Sequence, residues 1–111
     1  MADYMGTDFY CDIAIPRRRD LVVAHEDDSV LAFEHTRPFW QIHVVVVPKQ
    51  HVSSLLELEP GDLATNLLLV VQAVAADIVG RAGSASVATN LGDYQDSKHL
   101  HFHVHAGPQL R

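Results

Sequence analysis

The chain has 111 residues, a formal net charge of −6 with histidine neutral, and a single cysteine. This length fits one domain, residues 1–111, with a hydrophobic core of its own. The acidic balance argues against binding to the nucleic-acid backbone. One cysteine excludes an internal disulfide and suits a reducing compartment. We therefore expect a cytoplasmic domain with no nucleic-acid partner.

Neither a signal peptide nor a membrane span is predicted. Residues 1–12 mix aspartate and glycine with aromatic residues, unlike a secretory leader. The longest apolar run, residues 67–79, contains Gln72 and Asp77 and is expected to be too short to cross a bilayer. No membrane partner is expected.

The first half of the chain predicts a short helix followed by three strands. Aromatic and aliphatic residues recur at helical spacing over residues 9–15, and Pro16 ends that segment. Two strands then form an antiparallel hairpin, residues 21–25 and 29–33. The valine-rich run 41–47 predicts a central strand buried on both faces. We expect Pro48 to end it, because proline cannot donate to the ladder.

A long helix is predicted from Pro60 to about Arg81, with proline in the first turn and Gly80 and Gly83 ending it. One apolar stripe follows helical spacing: Leu63, Leu67, Val70, Val71, Val74 and Ile78. A second apolar sector adds Leu68, Leu69, Ala75 and Val79. Since one sheet face needs only the first stripe, the surplus favours either a second subunit or deeper burial in the protein's own core.

The last third predicts a strand at residues 86–90 and a polar loop, 91–98, that leads into a histidine-rich stretch. Taken together, the elements predict an α+β fold. It has a five-stranded, mainly antiparallel sheet, one long helix and a short N-terminal helix.

Four histidines alternate with apolar residues in the stretch 99–105. A period of two predicts a half-buried strand, with Leu100, Phe102 and Val104 facing the core and the imidazoles on the opposite face. Each ring brings two nitrogens and titrates near neutrality. Catalysis and metal ligation are both open, whereas a purification tag would be a run of consecutive histidines.

A neutral imidazole flanked by others can act as a nucleophile toward phosphorus, giving a phospho-imidazole that water later opens. Phosphorus is favoured over carbon because the chain lacks a Gly-x-Ser-x-Gly elbow, and it has neither a Walker loop nor a dinucleotide glycine fingerprint. The preceding loop supplies small polar donors suited to an oxyanion: Asn90, Gly92, Gln95 and Ser97.

The run His99-Leu100-His101-Phe102-His103-Val104 resembles the signature of the histidine triad (HIT) family, His-φ-His-φ-His-φ-φ. The segment 26–33, followed by Pro38, His43 and Val47-Pro48-Lys49-x-His51, is similar to the Hint branch of that family. Asn90 and Gln95 also resemble the residues that precede the triad there. The likeness extends through nearly the whole chain.

The resemblance implies a nucleotide hydrolase or transferase that acts at an α-phosphorus. His101 would be the nucleophile that forms a nucleotidyl-histidine, and His103 would contact the phosphate. His99 and His43 would set the ring tautomer and assist the leaving group. The implied substrates are nucleoside phosphoramidates or dinucleoside polyphosphates, and the chemistry requires no metal.

The resemblance also implies where a purine nucleotide binds. Three residues would surround the phosphate: Asn90, Gln95 and Ser97. Four would form the base pocket: Phe9, Tyr10, Ile13 and Phe33. Glu34 and His35 would meet the ribose, and the usual assembly is a homodimer.

Some positions depart from the family pattern. His35 lies where an acid often holds the ribose hydroxyls, and Asp96 lies where a hydroxyl commonly donates to the phosphate, which a carboxylate would repel. His105 continues the alternating histidines at a position where the family usually has an aliphatic residue. We expect His105 to be an edge residue with no role in the site. Because of these departures, a catalytically weak nucleotide- or metal-binding interaction protein is the alternative function.

A structural zinc ion is the remaining expectation from the resemblance. Many members hold zinc with Cys-x-x-Cys, a histidine after Pro-Lys and the first triad histidine. Here the matching set is Asp8, Cys11, His51 and His99. One carboxylate, one thiolate and two imidazoles form an acceptable tetrahedral set. Cys11 can equally be a small core residue.

Overall fold

The structure of the protein, a computed structural model, describes residues 8–111. It has the predicted α+β architecture, with one antiparallel five-stranded sheet in the order β1-β2-β3-β5-β4. The strands are β1 (Val23–Glu26), β2 (Val30–Glu34), β3 (Trp40–Pro48), β4 (Ser86–Ala88) and β5 (Phe102–Gln109). Helix α1 (Asp62–Ala82) covers one face, and a short N-terminal helix (Tyr10–Ala14) packs on the other.

The valine-rich strand β3 occupies the centre of the sheet, as predicted. Val44 and Val46 belong to the core under α1, whereas Val45 and Val47 belong to the core under the N-terminal helix. Because successive side chains of β3 point to opposite faces of the sheet, this one strand contributes residues to both hydrophobic clusters. Pro48 is part of β3, not the residue after it, because it pairs with Val30 as the last residue of the ladder.

Helix α1 begins two residues later than predicted and ends one residue later. Gly83 is left-handed, with φ of 86°, and its N–H donates to the Val79 carbonyl at 2.8 Å. Gly80 lies inside the helix, which corrects its assignment as a terminator. The fully buried part of the predicted stripe is Leu67, Val70, Val71, Val74 and Ile78.

The second apolar sector of α1 faces outward. Leu68, Leu69 and Val79 are 58%, 56% and 46% exposed, so deeper burial in the protein's own core is wrong for them. Ala75 is half-buried against that core. By length and composition alone the helix could cross a membrane, contrary to the expectation from residues 67–79. Core helices of soluble proteins pass the same test, and five residues of this helix are buried.

The histidine-rich stretch enters the sheet later than predicted. Strand β5 begins at Phe102, because the Leu100 N–H bonds to the Val52 carbonyl at 2.6 Å in place of a ladder partner. The predicted alternation nevertheless holds, since Leu100 and Val104 are fully buried under α1. The strand predicted at residues 86–90 is shorter and ends at Ala88.

Candidate active site

Five imidazoles lie on the face opposite α1, and we call them the imidazole row: His99, His101, His103, His43 and His35. Ring centroids are 4.9 Å apart for His101 and His103, 5.0 Å for His103 and His43, and 4.4 Å for His43 and His35. The register of β3 against β5 brings His43 to this face, where its ring meets that of His103. The row therefore joins three segments of the chain.

Backbone carbonyls fix the protons of the first two rings. His99 Nε2 lies 2.7 Å from the Pro48 carbonyl oxygen, and His101 Nδ1 lies 2.7 Å from the His99 carbonyl oxygen. A carbonyl oxygen only accepts, so these nitrogens carry the protons. In the neutral form, each ring then has its lone pair on the other nitrogen, Nδ1 of His99 and Nε2 of His101.

At the other end of the row, backbone N–H groups donate to ring nitrogens and so determine which nitrogen of each ring carries the proton. The Phe39 N–H donates to His43 Nδ1 at 3.1 Å, and the Arg37 N–H donates to His35 Nδ1 at 3.0 Å. Neutral His43 must then carry its proton on Nε2, which lies 2.8 Å from His103 Nδ1. His103 accepts that proton at Nδ1 and presents its own N–H at Nε2.

Four imidazoles of the row, His35, His43, His101 and His103, are held neutral at physiological pH. Burial, with help from neighbouring histidines, lowers the pKa of His43 to about 3 and that of His103 to about 4. Burial likewise lowers the pKa of His35 to about 4, aided by repulsion from His101 when that ring is protonated and from the Arg111 charge. The pKa of His101 is also lowered by burial, against the bond to the His99 carbonyl. A neutral ring is the nucleophilic form.

The His99 end of the row meets a carboxylate and a thiol. Ligand atoms of Asp8, Cys11, His51 and His99 all lie within 4.8 Å of one another. Asp8 Oδ2 is 3.2 Å from His99 Nδ1 and 2.5 Å from His51 Nδ1, and Cys11 Sγ is 3.2 Å from His99 Nδ1. Burial and Asp8 raise the pKa of Cys11 to about 11 when no metal is bound.

This set fits a tetrahedral metal ion. Because His99 Nε2 is tied to the Pro48 carbonyl, the Nδ1 lone pair faces the other three groups, as in metal sites oriented by a backbone acceptor. The second cluster of imidazoles, His35, His43 and His103, fits a metal less well. Two of its rings have their Nδ1 lone pairs filled by amide N–H groups, so their Nε2 atoms are protonated.

Two of the three residues expected around the phosphate, Gln95 and Ser97, already make hydrogen bonds within the protein. Gln95 is buried, and its Nε2 donates to the Ser53 carbonyl at 2.5 Å. Ser97 Oγ accepts the Phe9 N–H at 3.1 Å, which ties the loop before the triad to the N-terminal segment. Asn90 is half-buried, two residues after β4. Asp96 is exposed, and its charge acts to raise the pKa of His101.

The four residues expected to form the base pocket do not all line one cavity. Phe9 and Ile13 line a cavity of about 370 Å³ beside the N-terminal helix. Tyr10 and Phe33 are buried beneath it, and the Tyr10 ring packs 4.8 Å from that of His101. Five further residues line the cavity and were not foreseen: Ala14, Arg17, Asp20, Leu21 and Thr36. Three of these are polar, and no periodic pattern in the sequence marks them.

The two residues expected at the ribose fall on different faces. His35 stacks on His43 within the row. Glu34 pairs with Val44 of the core under α1, and it lines a cavity of about 460 Å³ that residues of α1 and His43 also line. Adjacent residues at a strand end point to opposite faces, which accounts for the split.

His105 is not the edge residue that was expected. Its strand, β5, lies between β3 and β4, and its ring stacks on Trp40 with centroids 3.6 Å apart and planes 10° apart. The Trp40 ring also meets the edge of His43 at 5.2 Å. This pair closes the sheet face beyond the row.

Comparison with known proteins gives the family. The family model of the HIT domain matches residues 17–110. An uncharacterised HIT-like protein of Synechococcus elongatus is 37% identical over 91 residues, covering 79% of this chain and 80% of that protein. A bifunctional adenosine 5′-phosphosulfate phosphorylase/adenylylsulfatase of Arabidopsis thaliana is 26% identical over 89 residues, covering 78% of this chain and 61% of that one.

Comparison with solved structures supports the same family. A histidine triad protein from Clostridium difficile is 30% identical and superposes with a TM-score of 0.75, covering 98% of this chain and 97% of its own. The chain therefore belongs to the HIT family.

Proposed function

We propose that the chain is a nucleotide hydrolase or transferase that uses His101 as a covalent nucleophile. Its substrate would be a nucleoside phosphoramidate or a dinucleoside polyphosphate, attacked at the α-phosphorus. The observation that carries the proposal is the 2.7 Å bond between His101 Nδ1 and the His99 carbonyl. It leaves the Nε2 lone pair of a buried neutral ring available for attack.

For a phosphoramidate, His101 Nε2 forms a bond to the α-phosphorus while the P–N bond to the amine breaks. The amine leaves with a proton taken from solvent, and the water of the second step returns a proton to solvent. Water then attacks the same phosphorus, the bond to Nε2 breaks, and a nucleoside monophosphate is released. One water is consumed in each turnover, no electrons change hands, and the ring returns to its neutral form.

The other rings of the row would stabilise charge on the phosphate. His103 presents an Nε2–H because its Nδ1 accepts from His43. An N–H next to the nucleophile suits a non-bridging phosphate oxygen, which gains negative charge in the transition state. The purine base would occupy the cavity beside Phe9 and Ile13.

The test is rapid-quench mass spectrometry of the protein mixed with adenosine 5′-phosphoramidate, with free AMP followed in parallel. We expect a transient adduct on His101 and accumulation of AMP, and both should disappear in His101→Ala. His25→Asn, which changes a histidine of β1 that is not part of the row, serves as the matched control and should retain both signals.

Two results would contradict the proposal. Binding of AMP without adduct or turnover would favour a nucleotide-binding interaction protein on the same fold. AMP release that survives in His101→Ala would exclude His101 as the nucleophile.

A structural zinc ion is a second proposal, supported by the Nδ1 lone pair of His99 facing Asp8 and Cys11. Zinc would be held by these three residues and His51, and would link the N-terminal segment to the triad. Protein purified without chelator should carry about one zinc per chain by elemental analysis, and Cys11→Ser should lower that content. Less than ~0.2 zinc per chain would overturn the proposal, since structural sites bind tightly.

A homodimer is the third proposal, because α1 exposes Leu68 and Leu69, and the exposed strand β4 forms an edge of the sheet. Light scattering should give about twice the chain mass of 12.3 kDa. Leu69→Glu should yield monomers, whereas Leu56→Glu, at a position 76% exposed in the loop before α1, should not. A wild-type monomer at all concentrations would contradict it.

A further inference from the structure

The cavity beside the N-terminal helix has a polar side that the proposed function does not use. Phe9, Ile13 and Leu21 give it an apolar surface suited to the faces of a planar ring. Arg17 and Asp20 also line it, and Arg17 Nε lies 3.5 Å from Asp20 Oδ2. A guanidinium and a carboxylate therefore border the space next to the apolar lining.

The Tyr10 ring connects the lining of the cavity to the imidazole row. The Phe9 ring packs edge-on against Tyr10 at 5.5 Å, and the Tyr10 ring packs against His101 at 4.8 Å. On the other side Thr36, which lines the cavity, directly follows His35. A base in the cavity would thus lie one side chain, that of Tyr10, away from the ring proposed to attack its nucleotide.

The charged pair distinguishes the edges of the two purines. A carboxylate offers two acceptors and no donor. Guanine presents two adjacent donors, N1–H and the exocyclic N2–H, which both oxygens can accept at once. Adenine presents one donor beside the N1 lone pair, which a carboxylate oxygen repels. The guanidinium adds donors that match O6 and N7 of guanine, the pairing that arginine makes with this base in nucleic acids.

We infer that Asp20 and Arg17 read the base edge and make guanosine nucleotides the preferred substrates of this chain. The inference rests on the proposed function, since it assigns the base at the same site. The Arabidopsis relative is named for an adenosine nucleotide, so base preference would separate the two proteins.

The experiment compares guanosine and adenosine 5′-phosphoramidate by kcat/KM, and GMP and AMP by calorimetry. Wild type should favour guanosine by about tenfold, at the low end for a bidentate contact because Asp20 is largely exposed. Asp20→Asn should reduce that ratio to about threefold or less, because the amide of asparagine can satisfy the donor and the acceptor of adenine. Asp28→Asn, an equal charge change at an exposed turn outside the cavity, should keep the wild-type ratio.

The outcomes separate the inference from the proposed function. Equal use of both nucleotides, or a guanosine preference unchanged in Asp20→Asn, would overturn the inference and leave the hydrolase proposal standing. An adenosine preference that collapses in Asp20→Asn would reverse the assigned base. Absence of both turnover and binding for either nucleotide would overturn both. Thermal unfolding of Asp20→Asn at the wild-type temperature verifies that the variant is folded.

Discussion

The two ends of the imidazole row differ in which ring nitrogen is left free. At the His99 end, the carbonyl oxygens of Pro48 and His99 accept ring N–H groups from His99 and His101. In the neutral form, the lone pair of each ring is therefore on its other nitrogen. At the His43 end, amide N–H groups of Phe39 and Arg37 occupy lone pairs, so the rings keep N–H groups. The same side chain thus presents an acceptor at one end and a donor at the other.

The difference shows that the local backbone decides what each histidine can do. Lone pairs suit attack on phosphorus and metal binding, whereas N–H groups suit phosphate oxygens. Since burial keeps His103 and His43 neutral, the row can provide a nucleophile and donors at once without charging a ring. Charge on any ring would remove a lone pair.

The sharpest way to test the comparison is to remove, one at a time, a ring that presents a lone pair and a ring that presents an N–H group. His101→Ala deletes the lone pair that attacks, so kcat/KM should fall by about 10³-fold or more. His103→Ala deletes only a donor to the phosphate, so the loss should be about 10–100-fold. Steady-state kinetics on the phosphoramidate measure both. Equal losses would contradict the division of roles.

A second test breaks the donor chain at His43. His43→Ala removes the N–H that fixes the proton of His103, and kcat/KM should fall by about tenfold to 100-fold. His43→Gln places an amide N–H near the position of Nε2 and should restore most of the rate. A glutamine variant as slow as the alanine variant would show that His43 acts through packing and not through this proton.

The sheet and the imidazole row are predictable from the sequence because the alternation of apolar and polar residues along a strand depends only on neighbouring residues. The period-2 pattern of residues 99–105 assigns Leu100 and Val104 to one face and the histidines to the other, and both faces are confirmed. The valine run likewise identifies the central strand. What alternation does not specify is where strand pairing starts, because the Leu100 amide finds its partner in the distant segment at Val52.

The tautomers and the cavity lie beyond sequence patterns for the same reason. His43 receives its donor from Phe39 and His99 its acceptor from Pro48, and both contacts depend on the fold of irregular or strand-end backbone. Arg17 and Asp20 read as part of a charged turn, and only the packing of the N-terminal helix places them beside Phe9. Long-range contacts, not residue types, supply this information.

Protonation provides a third test of the His43 end. The pKa values of His35, His43 and His103, about 4, 3 and 4, lie below the ordinary 6.5. Between pH 6.5 and about 4 the unfolded chain therefore binds more protons, so the free energy of unfolding falls as the pH falls through this window. Burial of these groups is incomplete, so we expect a loss of about 2 kcal/mol between pH 7 and 4.5.

Urea unfolding at several pH values measures this loss. His35→Asn removes one titrating ring and should flatten the dependence. Stability that stays constant from pH 7 to 4.5 would mean that the row accepts protons as readily as the unfolded chain does.

The smallest expected effect is a change in tryptophan fluorescence. It concerns His105, which lies next to the imidazole row but is not part of it. Trp40, the single tryptophan, stacks on His105, and burial lowers the pKa of this histidine. A protonated imidazole in contact with indole quenches its fluorescence, so emission should fall on acidification with a midpoint below pH 6.5. His105→Gln should abolish that step. A step that persists in this variant would arise from His43, whose ring also touches Trp40, and would place proton uptake inside the row instead of beyond it.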